Sequence, residues 1–170
     1  MRIFIVGMPG CGKSYWGRIW AEAYGWNFYD LDEEIEQREG KSVDEIFKED
    51  GELYFRSLEH AALINLIKNG TTPFILACGG GTPVFHHNLK DMQAAGCMAY
   101  LKTSVPKLLE RLQADTKPRP LLTMLNVDTL ERMLVAREPV YRKAAFTFDV
   151  AKLTENTFDT ILEQCINQHL

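Results

Sequence analysis

Residues 3–14 read IFIVGMPGCGKS, an apolar run followed by three glycines, a lysine and a serine. The spacing Gly7-x-x-x-x-Gly12-Lys13-Ser14 matches the phosphate-binding loop that joins a strand to a helix. Glycines let backbone N–H groups curl around phosphate oxygens, and the N-terminal end of the following helix attracts the same anion. The stretch therefore predicts a β-strand, a nucleoside triphosphate site and an α-helix, in that order.

The loop and the first turn of this helix supply the predicted nucleotide contacts, which are Gly10, Cys11, Gly12, Lys13, Ser14 and Tyr15. The Lys13 ammonium suits the β- and γ-phosphates, so we expect it to act in catalysis. The Ser14 hydroxyl is placed to bind Mg²⁺, which is the cofactor that this reading implies, with ATP as co-substrate.

Short apolar runs alternate with amphipathic stretches along the rest of the chain. The pattern predicts strands near 2–6, 26–29, 73–77, 97–101 and 146–149, and helices at 12–24, 31–39, 43–49, 52–69, 86–94, 104–113, 126–143 and 156–168. Strands separated by helices indicate an α/β fold with a parallel sheet and helices on both faces. A length of 170 residues suits one domain, 1–170, with a full core. The polar, proline-containing stretch 113–123 is expected to be a mobile loop.

Composition excludes several classes of protein. The net charge of −4 argues against a nucleic-acid-binding face, which would need basic residues. No apolar run is long enough to cross a membrane, and the start of the chain does not resemble a signal peptide. The 4 cysteines have no C-x-x-C spacing, so reduced thiols in a cytoplasmic protein are expected.

The remaining motifs narrow the type of nucleotide-binding protein. The D-x-x-G and N-K-x-D motifs of GTPases are absent from the sequence. A motor-type ATPase would end an apolar strand with an acidic pair, whereas the run PFILA at 73–77 continues into Cys78 and three glycines. With its small size, the chain is therefore predicted to be a metabolite or nucleotide kinase.

Asp30 and Asp32 follow the second predicted strand, on the same edge of the sheet as the phosphate loop. One carboxylate can hold a water bound to magnesium, and the other can accept a proton from a substrate hydroxyl. The sequence is also compatible with a purely structural role for Asp30, because Asp30 and Glu33 have the spacing of a helix capping box. Asp32 likewise suits the first turn of a helix.

Six stretches together resemble the shikimate kinase family, in the family's order and spacing. They are GMPGCGKS, FYDLDEEIE, GELYFRSLE, ACGGGTP, KPRPLL and AREPVY, and the resemblance weakens only after about residue 150. It implies transfer of the ATP γ-phosphate to the 3-hydroxyl of shikimate, in aromatic amino-acid biosynthesis. It also implies the fold of the nucleoside monophosphate kinases, with a five-stranded parallel sheet in the order 2-3-1-4-5.

The resemblance assigns roles to individual residues. Asp32 becomes the partner of the shikimate hydroxyls and the general base, and Asp30 lies near the magnesium with Ser14. Arg56 and Arg137 would hold the shikimate carboxylate, since a planar guanidinium suits a planar anion. The turn Gly79, Gly80 and Gly81 would contact the shikimate ring, and Arg119 would be a catalytic lid arginine on the phosphates. We also expect the protein to be a monomer.

Several alternatives stay open on the sequence alone. Arg56 could simply pair with Glu52 or Glu59 on its own helix, and Arg137 could be a solvated residue before Pro139, which should kink or end its helix. Gluconate or a nucleoside monophosphate could replace shikimate, and a non-catalytic ATP-binding module is a further option. Tyr15 departs from the small hydroxyl residue usual in the family, and no adenine-loop residue is assigned around 149–155.

Overall fold

The structure is a computed structural model that describes residues 1–115 and 126–168. Within them lies a parallel sheet of five strands: β1 Arg2–Val6, β2 Asn27–Asp30, β3 Phe74–Ala77, β4 Cys97–Lys102 and β5 Phe146–Asp149. The strand order is β2-β3-β1-β4-β5, which confirms the predicted order.

The central strand β1 pairs with β3 and β4, so that Ile3 lies opposite both Ile75 and Cys97. Successive side chains of a strand point to opposite faces of the sheet. Every residue from Ile3 to Val6 is nevertheless buried. Both faces of the sheet are therefore covered at its centre, as expected for a parallel sheet between helices.

Eight helices connect and follow the strands in the described part of the chain. They are α1 Lys13–Tyr24, α2 Leu31–Glu39, α3 Val43–Glu49, α4 Gly51–Asn69, α5 Asn88–Ala95, α6 Val105–Ala114, α7 Val127–Tyr141 and α8 Thr157–Gln168. A short 3₁₀ turn, Val150–Lys152, follows β5. None of these helices combines the length and apolarity needed to span a membrane, within the residues described.

Local signals set the helix ends around the site. The Asp30 carboxylate accepts a hydrogen bond from the Asp32 N–H and caps α2, and Ser42 with Glu45 forms a full capping box at the start of α3. Gly40 ends α2 in the left-handed conformation, which glycine adopts at little cost. These caps lie at the predicted boundaries because they depend on residues close in sequence.

The core extends from the sheet to α1 and α8. Trp20 is fully buried and stacks on Phe158 of α8, with ring centroids 5.6 Å apart. Trp16 stacks on Trp20 from the same face of α1, also at 5.6 Å. The two tryptophans, four residues apart, thus pack in the core, as their spacing indicates.

Two details differ from the sequence-based expectations. Pro139 does not end its helix, which is one of the two outcomes expected there, because α7 continues to Tyr141, two residues further. The proposed lid at 113–123 includes Gln113 and Ala114, which instead form the end of α6. The expected loop thus begins no earlier than Asp115, and its remaining residues extend into the part of the chain that the structure does not describe.

Candidate active site

The phosphate loop follows β1 and turns directly into α1. Gly10 and Gly12 have φ values of 79° and 100°, a left-handed backbone that side chains rarely tolerate. The Lys13 side chain folds back under the loop, where its ammonium donates to the carbonyls of Gly7 at 3.0 Å and Met8 at 2.9 Å. The loop's own backbone therefore holds the lysine cation at the place where the sequence predicts phosphates.

Ser14 and Asp30 come together, as the sequence predicts. The Ser14 hydroxyl donates to the Asp30 carboxylate at 2.5 Å, which connects the start of α1 to the end of β2. Hydroxyl and carboxylate oxygens are the hard donors that Mg²⁺ prefers, and Mg²⁺ usually needs only one or two protein ligands besides phosphate and water. The donor set therefore fits a magnesium ion bound together with a nucleotide.

The capping-box reading of Asp30 is half correct. Asp30 does cap α2, but the N–H that it accepts belongs to Asp32, at 3.1 Å. The Glu33 side chain is engaged elsewhere, because both its oxygens accept from Arg18, at 2.6 and 2.7 Å. Asp30 thus serves the helix with one oxygen and contacts Ser14 with the other, so the structural and the functional roles are compatible.

Asp32 lies in the first turn of α2 and lines a cavity of 370 Å³ beyond the carboxyl ends of β1, β2 and β3. The cavity combines the phosphate loop with acidic, basic and aromatic side chains: Lys13, Ser14, Asp30, Asp32, Phe47, Phe55, Arg56, Glu59, Gly79, Gly80, Arg111 and Arg137. Tyr15, whose side chain departs from the family pattern, also lines it and is 65% exposed. The predicted nucleotide and substrate residues therefore share one space.

Arg56 is buried on α4 between two glutamates. Its guanidinium donates to Glu59 at 2.8 Å and to Glu52 at 3.0 and 3.2 Å. It also packs against Phe85, with the guanidinium carbon 4.3 Å from the ring centroid. The pairing expected from helix spacing is therefore present, and Arg56 lines the cavity as well.

Glu59 is a site residue that sequence reasoning considered only as a partner for Arg56. It is fully buried on α4 and lines the cavity. One carboxylate oxygen accepts from Arg56 and the other from the Thr82 hydroxyl, at 2.5 Å. A buried charge needs such partners. The spacing to Arg56 was visible in the sequence, but the contact with Thr82, 23 residues away, was not.

Each glycine of the 79–81 turn lies against a site residue. A Cβ on Gly79 would be 2.5 Å from a Glu59 oxygen, and one on Gly80 would be 2.8 Å from Pro9 and 3.1 Å from Arg137. A Cβ on Gly81 would lie 2.6 to 2.7 Å from three atoms of the Arg56 guanidinium. The turn therefore requires glycine because charged side chains occupy the adjacent space.

Arg137 and Tyr141 lie at the C-terminal end of α7. The Tyr141 hydroxyl donates to the Gly80 carbonyl at 2.5 Å, which attaches the end of α7 to the glycine turn. Burial raises the pKa of the Tyr141 phenol well above its usual range, so it stays a neutral donor. Sequence reasoning identified Arg137 but not Tyr141, one helical turn further on.

Arg111 and Cys78 also border the cavity, and the sequence did not predict either of them as a site residue. Arg111 of α6 donates to the Cys11 carbonyl at 3.1 Å and adds a cation beside the phosphate loop. Its sequence position, about 100 residues from the loop, carries no signal for this contact. Cys78 also borders the cavity, and burial, followed by the Glu59 charge, raises the pKa of its thiol. The raised pKa disfavours the thiolate, which is the nucleophilic form of cysteine.

One predicted site residue, Arg119, lies outside the described residues. In the 149–155 stretch, where the sequence assigns no adenine contact, Lys152 lies exposed in the 3₁₀ turn. All the other predicted site residues line the common cavity except Cys11 and Gly81, which belong to the phosphate loop and the glycine turn that border it.

The comparisons with known proteins agree with this geometry. A family model described as shikimate kinase matches residues 9–167. The curated shikimate kinase of Methylococcus capsulatus is 41% identical over 144 residues, which cover 84% of this chain and 79% of that protein. The shikimate kinase of Parabacteroides distasonis is 38% identical over 160 residues, or 91% of each chain.

A solved structure is similar over almost the full length. It is the shikimate kinase from Acinetobacter baumannii in complex with shikimate, with a TM-score of 0.87 and 33% sequence identity. The similarity covers 99% of this chain and 93% of that one.

Proposed function

The chain belongs to the shikimate kinase family, and we propose on this basis that it transfers the γ-phosphate of ATP to the 3-hydroxyl of shikimate, giving shikimate 3-phosphate and ADP. The observation that carries the proposal is one cavity lined by the phosphate loop, by a carboxylate at the start of α2 and by the guanidinium groups of Arg56 and Arg137. This is the set of groups that a phosphate donor and a hydroxylated carboxylic acid need side by side.

Phosphoryl transfer is catalysed mainly by positioning and by charge stabilisation. Lys13, held under the loop by two carbonyls, would neutralise charge on the β- and γ-phosphates. Ser14 and Asp30 would hold Mg²⁺, which supplies further positive charge to the phosphates when it is bound. The remaining predicted nucleotide contacts are Gly10, Cys11, Gly12, Tyr15 and Arg119, the last being proposed from the sequence alone.

Asp32 is the proposed general base. It faces the cavity beside Gly79, with one carboxylate oxygen 3.4 Å from the position of a Cβ there. In this role it accepts the proton of the substrate hydroxyl as the oxygen attacks the γ-phosphorus. The same carboxylate would fix the hydroxyl's direction by accepting its hydrogen bond.

Arg56 and Arg137 are the proposed carboxylate ligands. A guanidinium has five N–H groups, and the bonds to Glu52 and Glu59 use one on each of the three Arg56 nitrogens. Counting partners among residues 1–115 and 126–168, each terminal nitrogen thus keeps one N–H for an incoming carboxylate. Gly79 and Gly80, which line the cavity, would contact the shikimate ring, and Gly81 continues the same turn behind them.

We also propose that residues 1–170 act as a single domain and as a monomer in the cytoplasm, with no nucleic-acid or membrane partner. One hydrophobic cluster includes residues from β1 to α8, which supports a single folding unit. The four cysteines are buried and free, which is compatible with a reducing compartment.

The first test compares acceptors. Shikimate should support rapid release of ADP, whereas gluconate and AMP should give only the background hydrolysis of ATP. A coupled ADP assay with the three acceptors side by side makes the measurement. Comparable turnover on gluconate would overturn the substrate assignment and leave the kinase class intact.

A second prediction concerns Arg56→Lys. Lysine keeps the charge but loses the planar fork, so one charge-assisted hydrogen bond to the shikimate carboxylate should disappear. Such a bond contributes about 1.5–3 kcal/mol, and we expect a rise of about tenfold in the shikimate KM with little change in the ATP KM. Steady-state kinetics with each substrate varied in turn would check this. Arg38→Lys, at an exposed position of α2, is the matched control.

A further inference from the structure

A chain of hydrogen bonds that begins outside the cavity leads to Arg56. It begins at Asn88, the first residue of α5, which is completely buried although it is polar. The Asn88 amide nitrogen donates to the Thr82 carbonyl at 2.9 Å. Thr82 in turn donates its hydroxyl to Glu59, and Glu59 accepts from Arg56. Three hydrogen bonds thus connect α5 to the proposed carboxylate ligand.

The amide oxygen of Asn88 contacts α4. Its oxygen lies 2.6 Å from Nδ1 of His60, the residue next to Glu59. Because the Asn88 nitrogen is the donor to Thr82, its oxygen must be the acceptor here, so Nδ1 of His60 carries the proton. Thr82 is therefore tied to α4 twice, through its hydroxyl to Glu59 and through its carbonyl, by way of Asn88, to His60.

The contacts among Thr82, Glu59, His60 and Asn88 form a closed ring, which sets the distance between the glycine turn and α4. The turn itself is short: the Thr82 N–H donates to the Gly79 carbonyl at 3.1 Å. A shift of Thr82 would withdraw its hydroxyl from Glu59 and leave a buried carboxylate oxygen without that donor, which is costly. Glu59 and the Arg56 guanidinium that it holds would then have to move.

We propose that Asn88 is a positioning residue for the shikimate carboxylate, acting through Thr82 and Glu59 on Arg56. The proposal rests on the proposed function, since it takes Arg56 as a shikimate ligand. None of Asn88, His60 and Thr82 lines the cavity in the described residues. Loss of Asn88 should accordingly weaken shikimate binding and spare both ATP binding and the chemical step.

The direct test is Asn88→Leu, which keeps the side chain's approximate size and removes both hydrogen bonds. We expect the shikimate KM to rise about fivefold or more, because a buried partner left unsatisfied costs about 1–3 kcal/mol. The turnover number and the ATP KM should stay within about twofold of the parent, a change equal to less than about 0.5 kcal/mol. Asn69→Ala is the control, since it removes a surface asparagine bonded to Asn65 at the far end of α4.

A double-mutant cycle separates a positioning role from a general loosening of the core. Thr82→Val removes the hydroxyl through which Asn88 is proposed to act on Glu59. In that background, Asn88→Leu should therefore raise the shikimate KM little further. Additive effects of the two substitutions, or an equal rise in the ATP KM, would overturn the proposal. So would a folded Asn88→Leu variant whose shikimate KM matches that of the parent.

If Asn88→Leu does not fold, substitutions at the half-buried His60 decide the matter. His60→Asn retains an N–H donor near the position of Nδ1 and should keep the parental shikimate KM, whereas His60→Leu should raise it. Equal shikimate KM values for these two variants would overturn the proposal. Failure of the parent to use shikimate at all would instead remove the proposed function, and this inference with it.

Discussion

Asp32→Asn should reduce the turnover number by about 10²–10⁴-fold, the range that is typical when a general base is removed. The amide cannot accept the proton of the attacking hydroxyl, and it also changes the hydrogen bond that orients this hydroxyl. ATP should still bind with near-normal affinity, because the loop contacts and the Ser14–Asp30 pair do not involve the Asp32 side chain. Saturating-substrate kinetics and a nucleotide titration would measure the two effects separately.

Glu33→Gln is the matched control for this substitution. It makes the same chemical change one residue away on α2, at a carboxylate that pairs with Arg18 on the protein surface. Exposed ion pairs of this kind contribute little, so its turnover should be close to that of the parent. Near-normal turnover of Asp32→Asn would show that Asp32 serves only the first turn of the helix.

Gly81→Ala should raise the shikimate KM by about 100-fold or more, because it displaces the guanidinium that would make two charge-assisted bonds of about 1.5–3 kcal/mol each. The new Cβ would lie at nearly equal distances, 2.6 to 2.7 Å, from Nη1, Cζ and Nη2 of Arg56. Equal distances place the methyl group above the guanidinium plane, far inside van der Waals contact. The guanidinium is buried and held by Glu59, so it cannot move without losing that bond.

The effect of Gly81→Ala should act through Arg56 and not through the turn's backbone. Gly81 is not among the glycines with a positive φ, so alanine can adopt its conformation. In an Arg56→Ala background, which leaves space for the methyl group, Gly81→Ala should therefore add little to the shikimate KM. A large effect that persists in this background would contradict the steric explanation. The ATP KM should stay near the parental value in all these variants.

Most secondary structure could be predicted because its causes are local. The alternation of apolar runs with amphipathic stretches predicted the observed bounds of β1 and β5. It predicted β2 one residue too close to the N-terminus. The phosphate loop could be predicted from spacing alone, because its glycines and Lys13 lie within eight consecutive residues, 7–14. Strand order had no local signal and came from the family resemblance, because pairing depends on which strands meet across the sheet.

Neither Glu59 nor Tyr141 could be assigned from the sequence, because their partners lie far along the chain. Glu59 meets Thr82, and Tyr141 meets the Gly80 carbonyl, only after α4 and α7 pack beside the turn that follows β3. For Arg56, the sequence predicted two roles but could not show whether one side chain fills both. Its spacing predicted a helix ion pair and its motif predicted a ligand, and only packing showed that one guanidinium makes the pair while facing the cavity.

By itself, the sequence determined the strand–loop–helix that binds phosphate, the ends of most elements and the carboxylates at the edge of the sheet. Each depends on residues within a few positions of one another, where spacing and side-chain chemistry decide the outcome. Only the tertiary structure decided why the 79–81 turn must be glycine and how Arg56 is oriented. Those answers depend on the space left between Pro9, Glu59 and Arg137, and that space exists only when distant segments have packed together.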